Sequence, residues 1–130
     1  MKILVGYEKS NVADHALELA RKHARAFDAR LIIVTSMKGG REVPREAFER
    51  AERSLEHVEA EMKKEGIPCK TIFSVQGLTP GEDIVSLAEK NQVDEIIIGV
   101  KKRSKVGKML FGSNAQYIIL RAPCPVLTVK

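Results

Sequence analysis

Ile96-Ile97-Ile98 is apolar at three consecutive positions, and that constrains this chain more than any other feature. A strand made of such a run buries both faces, which happens in parallel sheets covered by helices on either side. Four other short runs punctuate the sequence in the same way: Ile3 to Val5, Leu31 to Thr35, Thr71 to Val75, and a closing run from Pro125 to Val129. Pro125 has no N–H for a ladder, so it belongs at the start of its strand. The fourth strand reads as Asp94 to Ile98.

Between these runs the period changes from continuous to helical. Val12, Ala16, Leu19, Ala20, His23, Ala24 and Phe27 share one face of a first helix, capped by Ser10 or Asn11. Gly39-Gly40 interrupts the chain, and Pro44 suits the first turn of a second helix. Phe48, Ala51, Leu55, Val58 and Met62 form its apolar stripe, stopped by Gly66 and Pro68. Thr79-Pro80-Gly81-Glu82 has the threonine and glutamate of a capping box, and Ile84, Leu87 and Ala88 follow as the buried face of a third helix. A last helix from about Gly112 to Leu120 ends at Ala122-Pro123.

Strands alternating with helices define an α/β domain. The expectation is a three-layer, doubly wound sandwich with a five-stranded parallel sheet, occupying residues 1–130 as one unit. The chain of 130 residues, 44% hydrophobic and 30% charged, has the length and balance for one buried core. No apolar stretch approaches the roughly 20 residues that cross a bilayer. The N-terminal MKILVGY lacks the polar spacer and cleavage site of a signal peptide, so the expected compartment is the cytoplasm. Cys69 and Cys124 form no CxxC and read as buried small hydrophobes.

In doubly wound folds the ligand crevice lies at the carboxyl ends of the strands, where the strand order reverses. That directs attention to the loops at 6–11, 35–41 and 99–112. The third is distinctive. Lys101, Lys102, Arg103, Lys105 and Lys108 account for the whole formal net charge of +5. Gly99 ends the buried strand, and Gly112-Ser113-Asn114 opens the last helix, whose free amides and dipole favour an anion. The loop is not a P-loop: Lys102 stands where the first glycine would be and Met109 follows Lys108. No GxGxxG occurs. A phosphate cradle and a solvated basic turn both remain open at this point.

The segment resembles the glycine motif of the universal stress proteins: a glycine, a second glycine, then Gly-Ser or Gly-Thr after the fourth strand. Gly99 and Gly112-Ser113 match its ends, with Lys102 at the middle position. Ala122-Pro123-Cys124-Pro125-Val126-Leu127 is similar to the family's ending, and Ile3-Leu4-Val5 with Ser10 to its opening. The resemblance spans essentially the whole chain. It implies the same five-stranded fold, a homodimer through the last strand, and ATP, possibly with magnesium, as ligand. Carried over by position, Gly6 and Val34 would line the adenine base, with Glu8 at the aspartate position of nucleotide binders. Gly99, Lys101, Lys102, Arg103, Lys105, Gly112, Ser113 and Asn114 would hold ribose and phosphates. The alternative is a nucleotide-free dimeric interaction protein in which Lys102 closes the site.

Other functions find less support. His15, His23 and His57 have no metal spacing; His23 reads as a core-edge residue and the others as exposed. Ser113 would also serve as a plain helix cap. Arg41, Arg45 and Arg50 with Glu42, Glu46 and Glu49 read as a salt-bridged exposed face. No Ser-His-Asp set, acid pair or reactive cysteine stands out, so the chain reads as a binding module rather than a turnover enzyme. No aromatic residue lies within 99–110, which removes base stacking from any nucleic-acid role for the loop.

Overall fold

The computed structural model describes residues 1–8, 10–101 and 112–130. They form β1 (Lys2–Gly6), α1 (Asn11–Phe27), β2 (Arg30–Ser36), α2 (Arg45–Lys64), β3 (Cys69–Ser74), α3 (Pro80–Asn91), β4 (Glu95–Gly99), α4 (Ser113–Arg121) and β5 (Val126–Val129). The strands make one sheet in the order β3-β2-β1-β4-β5. All four pairings are parallel. The expected fold class is therefore the observed one.

Alternate residues of each strand serve opposite faces. Ile3, Val5, Leu31, Ile33 and Ile97 meet α1 and α2 in one apolar cluster. Leu4, Ile32, Val34, Ile96 and Ile98 meet α3 and α4 in the other. The isoleucine triplet is thus divided between the two layers, which is why no member of it can be polar.

Local chemistry sets the helix ends. Ser10 caps α1 by accepting the Ala13 N–H at 3.2 Å. The α3 capping box is complete: Thr79 Oγ1 accepts the Glu82 N–H and Glu82 Oε1 accepts the Thr79 N–H. Gly66, at φ +71°, closes α2, with its N–H bonded to Lys63 O and that of Ile67 to Met62 O. Pro44 stands just before the helix, as its cap residue.

Several expectations shift. The first helix buries Ala13, Ala16, Leu17, Ala20 and Ala24, a face turned from the expected one, and Phe27 is 56% exposed. Alanines let α1 sit close to the sheet, and the larger side chains are left at the margins. Phe27 instead meets the His23 ring edge-on, with centroids 5.5 Å apart. The third strand begins at Cys69 and ends before Val75, which is exposed beyond this edge strand. Phe48 is only half-buried, against Phe73, whereas Met62 is fully buried. Cys69 and Cys124 are free and half-buried rather than buried. Burial, with the nearby Glu59 charge, pushes the Cys69 thiol up to about 11.

Candidate functional site

Chain progression reverses between β1 and β4, because β1 leads outward to β2 and β3 while β4 leads to β5 on the other side. At the carboxyl ends of these two central strands lies a cleft of about 240 Å³. Gly6, Tyr7 and Glu8 line it from the end of β1, Val34 and Ser36 from β2, and Ile98 to Lys101 from β4. Helix α4 contributes its first residues together with Gly112, and α3 contributes Pro80 and Ile84.

Of the residues singled out in the sequence, Gly6, Glu8, Val34, Gly99, Lys101, Gly112, Ser113 and Asn114 all line this one cleft. Lys102, Arg103, Lys105 and Lys108 lie outside the described residues. From the 35–41 loop, Ser36 is the residue that reaches the cleft.

One end of the cleft is apolar. Val34, Ile84 and Ile98 belong to the α3/α4 core and reach up into the cleft. The backbone here is tied down: Tyr7 N–H donates to Val34 O at 2.8 Å, and Thr35 Oγ1 donates to Tyr7 O at 2.5 Å. The Tyr7 phenol turns away to donate to Asp14 Oδ1 at 3.1 Å. Burial raises its pKa to about 12, with the Asp14 charge and hydrogen bond adding to the effect.

The other end is polar. Gly112 is the cap residue of α4, in extended conformation, and no side chain caps the helix among the described residues. Ser113 is therefore the first helical residue and not the cap, and its hydroxyl is exposed at the cleft. Uncapped first-turn amides carry the positive end of the helix dipole, and the exposed Lys101 adds a full charge nearby. Asn114 has a structural task as well: its Oδ1 accepts the Gly81 N–H at 3.0 Å, joining the α3 and α4 N-termini.

Gly99 has a different reason to be glycine than the sequence suggests. A Cβ there would lie 2.4 Å from Val12 O in α1. Its small size lets the helix approach the strand, whatever the cleft contains.

Sequence reasoning missed Ser36, Pro80 and Ile84 as cleft residues. For Pro80 and Ile84 a signal existed, because α3 starts at the carboxyl end of β3, on the same edge of the sheet as the other loops. Away from the cleft, His23 Nδ1 lies 3.0 Å from Glu95 Oε1 at the α1 margin. His15 Nδ1 meets the Lys130 carbonyl at 2.9 Å. Arg45 and Glu49, 3.5 Å apart, represent the anticipated charged face among the described residues. No group of three or more metal-ligating side chains occurs among the described residues.

Fold and cleft together define a doubly wound α/β domain with its crevice at the topological switch point. The sequence matches the universal stress protein family over residues 1–130. The chain belongs to that family. It is 34% identical to a universal stress protein of Thermus aquaticus, over 98% of this chain and 97% of the relative. Among solved structures, a universal stress protein from Archaeoglobus fulgidus superposes with a TM-score of 0.88 at 34% identity, covering 100% of this chain and 98% of that one. A universal stress protein from the same organism in complex with dAMP has a TM-score of 0.83 at 30% identity, with the same coverage.

Proposed function

We propose that this universal stress protein binds an adenine nucleotide, specifically ATP, in the switch-point cleft. One observation carries the reading: a single cleft joins an apolar end at Val34, Ile84 and Ile98 to a helix N-terminus that no side chain caps among the described residues, beside Lys101. A purine base suits the first and phosphates suit the second. The likeness to the Archaeoglobus fulgidus protein in complex with dAMP supports the adenine part.

In this reading Gly6 and Val34 border the base, and Gly99 and Lys101 border the ribose and first phosphate. The amides at Gly112, Ser113 and Asn114 take the phosphate oxygens. Lys102, Arg103 and Lys105 supply further positive charge along the triphosphate. Glu8, exposed at the mouth, suits a ribose hydroxyl or a phosphate-bound magnesium ion. The protein acts as a regulatory or protective module of the stress response, in the cytoplasm, a setting that suits its free cysteines. It works as a homodimer through β5, an edge strand in which Leu127 is exposed, next in sequence to α4 with its exposed Ile119 and Leu120.

Calorimetric titration with ATP and magnesium, with AMP as control, tests the binding. Micromolar affinity for ATP, weaker but still measurable for AMP, is the expected result. Absence of heat and of thermal stabilisation at millimolar ATP would overturn the reading and leave the dimer surface as the functional one.

A further inference from the structure

Asp83, in the first turn of α3, is 1% exposed. Its Oδ2 accepts the hydroxyl hydrogen of Ser36 at 2.5 Å, and its Oδ1 has no partner among the described residues. A buried carboxylate with an unpaired oxygen costs folding free energy. The layer around it is mostly apolar, as at Ile84 and Val85, apart from the buried Ser74 in register with Ser36. What Asp83 does control is Ser36, which lines the cleft.

A serine hydroxyl has one hydrogen and two lone pairs, whereas a carboxylate only accepts. With its hydrogen held by Asp83, Ser36 Oγ can offer the cleft a lone pair and nothing else. It stands at the end of β2, on the same strand face as Val34 and beside the apolar end. Lys101 and α4 lie beyond the end of β4, two strand spacings away across β1, or about 10 Å. That matches the span from a 5′-phosphate to the far edge of a purine. We propose that Ser36, oriented by the buried Asp83, is a one-way acceptor that selects a purine bearing an amine at C6, adenine, over 6-keto purines. Asp83 is the positioning residue. The inference rests on the cleft being a nucleotide site, as proposed above.

The C6 amine of adenine donates to Ser36 Oγ, whereas the C6 carbonyl of hypoxanthine would face it lone pair to lone pair. The test compares AMP, IMP and the AMP analogue with hydrogen in place of the amine, all with the same ribose phosphate, by calorimetry. Wild-type protein is expected to favour AMP about tenfold over the other two, the worth of one hydrogen bond. Ser36→Ala should bring AMP down to the analogue's affinity, with circular dichroism confirming the fold. Asp83→Ala frees the hydroxyl to donate, so the penalty on IMP should fall at least threefold while AMP still binds. An AMP advantage that survives in Ser36→Ala overturns the proposal, and so does a wild-type protein indifferent to the amine. An unchanged IMP penalty in Asp83→Ala removes Asp83 from it; if that variant does not fold, Ser36→Ala decides alone. Failure of all three ligands and of ATP to bind wild-type protein sinks the nucleotide reading and this one together. Indifference to the amine with ATP binding intact sinks only this one.

Discussion

The two helical layers are built differently. On one side α1 sinks Ala13, Ala16, Leu17, Ala20 and Ala24 against the sheet, and α2 adds Leu55, Val58 and the fully buried Met62. On the other, α4 buries Ile118 and leaves Leu120 77% exposed. The first layer is a closed core that needs nothing further. The second holds the polar pair Ser36–Asp83 and a helix end with no side-chain cap among the described residues, and Ile119 and Leu120 lie exposed where α4 leads to β5. Both layers bury an apolar cluster, but the elements proposed for recognition lie in the second.

The largest effect that would break this contrast comes from Met62. Truncation to alanine leaves a cavity between α2 and the sheet, and the expected loss is about 3 kcal/mol. For a domain of this size that lowers Tm by roughly 10 °C, read by thermal denaturation. A loss no greater than that of an exposed-site variant would mean that the α1/α2 layer is not a tightly packed core. Gly99→Ala comes next. Its methyl group meets the Val12 carbonyl in α1, so helix and strand must separate, at a cost of about 2 kcal/mol. Because the clash is with the protein itself, Tm should fall equally with and without ATP. A variant of normal stability that binds ATP poorly would instead return Gly99 to the role of ligand contact.

The same contrast explains what could be read from the sequence. The strands were legible because a continuous apolar run such as Ile96-Ile97-Ile98 leaves little choice of setting. The switch-point loops followed from strand order, and eight of the eleven candidate residues do line one cleft. Helix faces were harder. In α1 the buried positions are mostly alanines, whose weak hydrophobic signal was outweighed by Leu19 and Phe27 at the margins. The alternative of Ser113 as a plain cap gives way to Gly112, which has no side chain to announce it at that position. The Ser36–Asp83 bond was out of reach altogether. It joins residues 47 positions apart, and neither residue belongs to a motif. Each reads alone as an ordinary polar residue near an element's end.

Leu120 should have the smallest effect on the fold and sharpens the comparison from the other side. Its side chain is mostly in water, so Leu120→Lys should change the stability of the monomer by no more than about 0.5 kcal/mol. The new charge lies in the last turn of α4, where a cation interacts favourably with the helix dipole. If the margin where α4 leads to β5 is a dimer surface, however, an ammonium group within it must be desolvated on association. The measurement is mass by light scattering across a dilution series, paired with urea unfolding at the lowest concentration. The expected wild type is a dimer, and the variant a monomer that unfolds at an unchanged midpoint under those dilute conditions. A wild-type protein that is monomeric at about 100 μM would show that the open margin of the second layer has no second copy to cover it. The asymmetry between the layers would then reflect the cleft alone.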